Sequence, residues 1–110
     1  MKKKLTALLL CFLCQIAYAQ SPDVRGAPDC SRWLQPENAT RELMNKSWLV
    51  GYLSGLNMGF ALDLRRKPFN YFEGVTPGQI YLWMDNYCRA NPLSGVIAGS
   101  VVLFIEKSNK

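Results

Sequence analysis

The side chains that carry most protein chemistry are few in this chain of 110 residues, which has four cysteines, eight carboxylates and no histidine. Histidine is the commonest general base, the usual activator of a serine or cysteine nucleophile and the commonest metal ligand. The carboxylates are scattered among positions that we expect to be solvated, and no motif pairs them as glycoside hydrolysis requires. We therefore expect a protein that is not an enzyme and that binds no cofactor and no metal.

The first residues are typical of a secretory signal peptide. Three lysines follow the initiator, an apolar run spans 5–16, and Ala17-Tyr18-Ala19 supplies the small residues of a cleavage site. We predict cleavage between Ala19 and Gln20, which makes 1–19 the leader. The apolar run is shorter than the roughly 20 residues that a transmembrane helix needs. We therefore expect export to the periplasm with no stable membrane anchoring.

Cys30 and Cys88 are the cysteines that remain once the leader, with Cys11 and Cys14, is removed. Two cysteines in a small exported chain predict a disulfide bond. In the chain-entropy model a bridge that closes so long a loop contributes about 4 kcal/mol. A free reactive thiol or a metal pair is the weaker interpretation, because no other soft ligand is present.

The charge of the processed chain is small. The net charge of +5 falls by three when Lys2, Lys3 and Lys4 leave with the leader. A nucleic-acid partner calls for a concentrated basic face, so we expect none. The one basic cluster, Arg65-Arg66-Lys67, is better explained as the complement of a helix C-terminus than as a phosphate site.

Helical patterns dominate the processed chain, which we divide into a flexible arm over 20–28 and a single domain over 29–110. Four helices are predicted: a short one carrying Cys30, and longer ones over 40–64, 77–90 and 94–107. The sequence therefore predicts an all-α fold, a small four-helix domain joined by one disulfide.

Two of these helices differ in how clearly the sequence marks them. Thr76 and Gln79 around Pro77 form a capping box, and Asn91-Pro92 ends that helix by Ala90. The segment 94–107 is rich in strand-forming residues, so a strand is the alternative there. Its length and a capping Ser94 favour a helix.

Three glycines interrupt the longest helix at Gly51, Gly55 and Gly59. Each costs about 1 kcal/mol relative to alanine in a helix interior. Because they recur every four residues they lie along one side of the helix. We interpret them as a groove into which another helix can pack closely.

The connection after the basic cluster is turn-rich and carries three aromatic residues within 69–72. Core packing is the usual role of such rings. A turn-rich loop buries three rings with difficulty, so we expect partial exposure and a protein-binding surface here. The residues expected to contact a partner are Arg65, Arg66, Phe69, Tyr71 and Phe72.

Four short stretches resemble the HdeA/HdeB family of small periplasmic acid-stress chaperones, and also the structurally similar immunity proteins that neutralise type VI secretion amidases. These stretches are Cys30-Ser31-Arg32-Trp33, Trp48-Leu49-Val50-Gly51-Tyr52-Leu53-Ser54-Gly55, Val75-Thr76-Pro77-Gly78-Gln79-Ile80 and Tyr87-Cys88-Arg89-Ala90-Asn91-Pro92. The likeness extends from Cys30 to about Ile105. It implies an all-helical domain whose bridge joins an early helical turn to the third helix, and it supports a helical final segment.

Two functions follow from this resemblance as expectations. The first is a dedicated binder, an immunity or inhibitor protein that blocks a cell-wall amidase. The second is a chaperone of unfolded clients, in which acid protonates the eight carboxylates and charge repulsion loosens the packing. The sequence leaves open an accessory role in an envelope or conjugative apparatus, and it leaves open whether the protein is a monomer or a homodimer.

Overall fold

The computed structural model describes residues 24–63, 65, 67 and 69–109. Within these residues the chain is all-helical, as predicted, with the helices α1 (Cys30–Leu34), α2 (Ala39–Ala61), α3 (Pro77–Ala90) and α4 (Val96–Ser108). The predicted leader, its cleavage site between Ala19 and Gln20, and Arg66 lie outside the described residues.

Side-chain caps define the starts of the first three helices. Asn38 Oδ1 accepts the N–H of Arg41 at 2.9 Å at the start of α2. At the start of α3, Thr76 Oγ1 accepts the N–H of Gln79 at 3.2 Å, and Gln79 Oε1 accepts the N–H of Thr76 at 2.8 Å. Asp29 caps α1 in the same way. These bonds satisfy backbone donors that have no partner within the helix.

The long helix α2 ends at Ala61, before the predicted end at Leu64. The N–H of Asp63 donates to the carbonyl oxygen of Phe60, three residues back. Asp63 Oδ1 then accepts the N–H of Arg65 at 3.0 Å. The Asp63 side chain thus accepts a backbone N–H that would otherwise donate to a helical carbonyl oxygen. Aspartate side chains commonly end helices in this way.

The last segment is a helix, but Ser94 does not cap it. Gly95 stands at the N-cap of α4, with no side-chain cap hydrogen bond. The hydroxyl of Ser94 is hydrogen-bonded to the Tyr87 hydroxyl, with 2.9 Å between the oxygens. This residue therefore joins the end of α3 to the start of α4.

The core lies where the helices meet around the disulfide. Cys30 and Cys88, 58 positions apart, are bonded and fully buried, which confirms the predicted bridge between α1 and α3. Each longer helix contributes apolar side chains to the same cluster: Leu49 and Leu53 from α2, Ile80 and Met84 from α3, Val96 and Leu103 from α4.

An extended segment before α1, residues 25–29, lies across the domain and is called the N-terminal strap below. The Trp48 indole Nε1 donates to the carbonyl oxygen of Arg25 at 2.9 Å. The Val96 N–H donates to the carbonyl oxygen of Pro28 at 3.1 Å. Arg25, which lies within the segment predicted to be a flexible arm, thus contacts the domain.

Gly99 marks a close approach between α3 and α4. A Cβ at this position would lie 2.7 Å from Met84 Sδ and 2.7 Å from Tyr87 Cδ1. Contacts that short do not occur between real side chains, so α3 and α4 require glycine at this crossing.

The three glycines of α2 are placed differently, on an open face of the helix. A Cβ built on Gly51, Gly55 or Gly59 would meet no atom within 4 Å. No helix of the described residues packs against them. Close packing of another helix against these glycines stays a prediction.

Candidate functional site

The loop between α2 and α3 presents an aromatic and basic surface, which we call the turn patch: Arg65, Lys67, Phe69, Tyr71 and Phe72. The Phe69 side chain is 57% exposed, and the Arg65 side chain is 90% exposed. Lys67 is exposed, while Tyr71 and Phe72 are half-buried. The structure thus groups the predicted contact residues Phe69, Tyr71 and Phe72 around Phe104, and it places Arg65 on the same loop beside Asp63.

Aromatic rings of α2 and α4 pack against the rings of the turn patch. The Tyr71 ring packs edge-on against Phe69 and Phe104, with 5.1 Å between centroids in each case. The Phe72 ring lies 6.1 Å from Phe104, which itself lies 4.8 Å from Phe60. Edge-to-face pairs at these separations are favourable beyond the area they bury. The exposed Phe69 is therefore the outermost member of a continuous aromatic stack.

An asparagine of α2 holds the backbone of the turn. Asn57 Oδ1 accepts the N–H of Tyr71 at 3.1 Å, and Asn57 Nδ2 donates to Asn70 Oδ1 at 3.0 Å. Asn70 Oδ1 also accepts the N–H of Phe72 at 3.1 Å. One helical side chain thus fixes the residues on which two of the rings are mounted.

The exit of the turn is fixed by glycine and by the cap that follows it. Gly74 has a φ of +74°, a left-handed conformation that other residues adopt only at a cost. The N–H of Val75 donates to the carbonyl oxygen of Phe72 at 3.0 Å. Thr76 then begins α3, so both ends of the turn patch are attached to regular structure.

The basic side of the turn patch is organised by Asp63. Its Oδ1 accepts both the N–H of Arg65 at 3.0 Å and the Nε of Arg65 at 3.2 Å. This pair is solvent-exposed and adds little stability, but it sets the direction of the guanidinium. Lys67 is exposed on the same loop.

A second concave surface of about 250 Å³ lies between α1, α2 and α3. The Trp33 indole Nε1 donates to Asp85 Oδ1 there at 2.8 Å. The Lys46 ammonium lies 5.4 Å from the Tyr81 ring centroid, and its hydrogen bond to Glu42 raises the pKa of Lys46. Opposite charges offset one another in this pocket, so it holds no isolated charge for a ligand.

The described ranges lack the residues for two other kinds of site. They contain no cluster of three or more histidine, cysteine, aspartate or glutamate side chains placed to hold a metal ion. They also contain no helix with the length and apolar character needed to cross a membrane.

Sequence reasoning missed Asn57, on which the turn depends. Its signal is a polar amide within the otherwise apolar stretch from Leu53 to Phe60 of the long helix. Met58 of the same helix is 60% exposed. Met58 lies on the same open face of the helix as the glycines.

The fold and the turn patch define a small disulfide-linked helical domain that displays an ordered aromatic and basic loop. No family model, curated protein or solved structure matches the chain. The resemblance to the HdeA/HdeB family and to the amidase-immunity proteins therefore stays a prediction.

Proposed function

We propose that this protein is a non-catalytic binding domain of the periplasm and that it docks on another protein through the turn patch. The observation that carries the proposal is the placement of Phe69, a ring that is 57% exposed on a turn held by Asn57. Aromatic residues and arginine are the types that most often dominate binding energy at protein interfaces.

The order of the turn supports this proposal. Binding costs free energy when loops and side chains must be immobilised. Here the hydrogen bonds of Asn57 and the stack beneath Tyr71 fix the loop before any partner arrives. The Phe69 ring can then enter an apolar pocket with little further loss of conformational freedom.

The charges of the turn patch indicate the partner's chemistry. Arg65 and Lys67 precede Phe69 on the same loop and are exposed, so the complementary surface in this proposal is an apolar pocket with an acidic rim. The resemblance to immunity proteins supplies the partner class, a cell-wall amidase whose cleft the turn patch would block. In this proposal the protein acts as an inhibitor of that enzyme.

The test compares Phe69→Ala with Leu93→Ala, because Leu93 is a fully exposed apolar residue in a different loop. Purified cell-wall amidases are titrated with each protein by calorimetry, and peptidoglycan hydrolysis is measured alongside. We expect Phe69→Ala to raise the dissociation constant by about 30-fold or more, and Leu93→Ala to leave it unchanged. Equal loss in both variants, or no complex with any amidase, would refute the proposal.

The acid-chaperone function expected from the same resemblance gives a different result. A chaperone released by acid exposes dye-binding surface at about pH 2–3 and suppresses aggregation of a generic client. Under this proposal the protein binds its partner at neutral pH with one-to-one stoichiometry, and the variants at Phe69 and Arg65 reduce that binding.

A further inference from the structure

The concave surface between α1, α2 and α3, called the interhelical pocket below, has the features of a site for a small dipolar molecule. Its volume of about 250 Å³ is that of about eight water molecules at roughly 30 Å³ each. It is lined by two carboxylates, Glu42 and Asp85, and by two cations, Lys46 and Arg89. We propose that it binds a zwitterion of amino-acid size, whose ammonium group contacts Asp85 and Asn45 and whose carboxylate contacts Arg89.

Asn45 brings an unused hydrogen-bond acceptor to the interhelical pocket. The residue is only 6% exposed, yet it lines the pocket. Its Nδ2 donates to the carbonyl oxygen of Arg32 at 3.2 Å, which fixes the orientation of the amide. No described residue donates to its Oδ1, although polar side chains this deeply buried are usually fully hydrogen-bonded. An ammonium group inside the pocket would supply the missing donor.

Asp85 and Arg89 line the same pocket without forming an ion pair. They lie four residues apart on α3, a spacing at which opposite charges on a helix commonly pair. Asp85 Oδ1 instead accepts the Trp33 indole N–H at 2.8 Å. Arg89 Nη1 donates to Asn86 Oδ1 at 3.2 Å. Within the part of the chain that the structure describes, nothing donates to Asp85 Oδ2 and no carboxylate pairs with Arg89, so both keep hydrogen-bonding capacity for a ligand.

The other two charges of the pocket neutralise one another. Lys46 and Glu42 form a hydrogen-bonded ion pair, and the Lys46 ammonium also lies 5.4 Å from the Tyr81 ring centroid. The groups left for a ligand are therefore one carboxylate and one guanidinium. A ligand with a single charge would be attracted by one of them and repelled by the other, so a ligand that carries both charges is favoured.

The positions of the two groups set the size of the ligand. Residues four apart on a helix have Cβ atoms about 5–6 Å apart. The ammonium end of the site is preorganised, because Asp85 is held by Trp33 and Asn45 by the backbone of α1. The carboxylate end is adaptable, because the Arg89 side chain is long and exposed. This arrangement suits a single α-amino acid or a dipeptide.

Titration of the isotope-labelled, disulfide-bonded protein with alanine, followed by NMR, tests the inference. We expect saturable shifts of the Trp33 indole N–H and of the Asn45 side-chain amide, with a dissociation constant on the order of 1 mM. The Trp83 indole, which donates to Glu106 in an exposed position, is the internal control and should not shift.

Two analogues of alanine test the need for both charges. N-acetylalanine lacks the ammonium group and alaninamide lacks the carboxylate, and each should bind at least about tenfold more weakly than alanine. Alanyl-alanine carries both charges at a larger separation. Whether it binds more or less tightly than alanine distinguishes a site for peptides from a site for free amino acids.

Arg89→Gln removes the carboxylate contact, with Arg41→Gln as the matched control. Both arginines are exposed, and Arg41 lines a neighbouring concave surface that also contains Asn45. We expect Arg89→Gln to weaken the binding of alanine at least about tenfold and Arg41→Gln to leave it unchanged. Thermal unfolding verifies that both variants keep the stability of the native protein.

Three results would overturn the inference, and none of them depends on the turn patch or on an amidase. The first is the absence of any shift up to about 50 mM alanine. The second is equal binding of alanine and its singly charged analogues. The third is a loss of binding in Arg41→Gln but not in Arg89→Gln, because the ligand would then occupy the neighbouring surface.

Discussion

The indole Nε1 of Trp33 donates to Oδ1 of Asp85 across 52 positions of the chain, with 2.8 Å between the two atoms. This bond lies one helical turn from the disulfide: Trp33 follows Cys30 by three residues in α1, and Asp85 precedes Cys88 by three in α3. The five-residue helix α1 is therefore held to α3 by two links, one covalent and one polar.

Replacing Trp33 by phenylalanine tests the polar link. Trp33→Phe keeps an aromatic ring in the core but leaves the half-buried Asp85 carboxylate without its donor. We expect the free energy of unfolding to fall by about 2 kcal/mol, measured by urea denaturation of the oxidised protein.

The control for this substitution is Trp83→Phe. The Trp83 indole donates to Glu106 at 3.1 Å in an exposed position, so its loss should cost less than about 1 kcal/mol. If the two substitutions cost the same, the bond between Trp33 and Asp85 does not stabilise the fold as we describe.

Removing the disulfide should destabilise the domain strongly. We expect the variant with Cys30→Ser and Cys88→Ser to lose about 2–5 kcal/mol of unfolding free energy. Denaturant unfolding of both proteins measures the difference. Dithiothreitol should reduce the stability of the native protein to a similar extent and leave that of the variant unchanged, and a native protein indifferent to reduction would contradict this prediction.

Gly99 and Gly59 should respond in opposite directions to alanine. Gly99→Ala places a Cβ 2.7 Å from Met84 Sδ, and overpacking of this kind costs about 1–3 kcal/mol. Gly59→Ala places a Cβ in open space and should raise the stability by up to about 1 kcal/mol. Thermal unfolding in dilute solution compares the two variants. A stabilising Gly99→Ala would show that α3 and α4 are farther apart than described.

Asn57→Ala should loosen the turn patch while the helices stay intact. The amide of Tyr71 loses its acceptor, so its hydrogen exchange should become faster, and partner binding should weaken because the loop must then be ordered on binding. Hydrogen exchange followed by NMR reads the first effect directly. The amides of α3 serve as the internal control, and uniform acceleration across them would instead indicate global destabilisation.

The stabilisation that the pair of Lys46 and Glu42 contributes should decrease at alkaline pH. The hydrogen bond to Glu42 raises the pKa of Lys46 above 10.5 in the folded protein. The pair therefore contributes its full stabilisation below the pKa that Lys46 has in the unfolded chain. This stabilisation is lost as the pH rises through the pKa that Lys46 has in the folded protein. The difference in urea midpoint between the native protein and Glu42→Gln should stay constant to about pH 10 and then shrink. A difference that grows with pH would contradict this sign.

The start of α3 could be predicted from the sequence because capping is local chemistry. Thr76 needs only a donor three residues ahead of it, and it forms the capping box with Gln79 that the sequence predicts. The end of α3 at Ala90 was equally clear, since a proline follows. Each of these features is decided within a few residues of its own position.

Features that depend on distant residues could not be predicted in this way. Ser94 has the right side chain for a cap, but the Tyr87 hydroxyl competes for it across the connection between α3 and α4. The sequence contains glycines in three helices, but only the crossing of α3 and α4 shows that Gly99 is the one that lies against side chains of another helix. The role of Asn57 likewise depends on where the loop returns to α2.

The N-terminal strap also determines when the domain can be completed. Val96 donates to Pro28, and Cys30 donates from its N–H to the carbonyl oxygen of Ser94 at 3.0 Å. A ribosome produces Pro28 and Cys30 early and Ser94 and Val96 late, so these two bonds can form only when most of the chain has been made. The bond between Arg25 and Trp48 needs only the first half of the chain, so the strap can attach to α2 before it attaches to the start of α4.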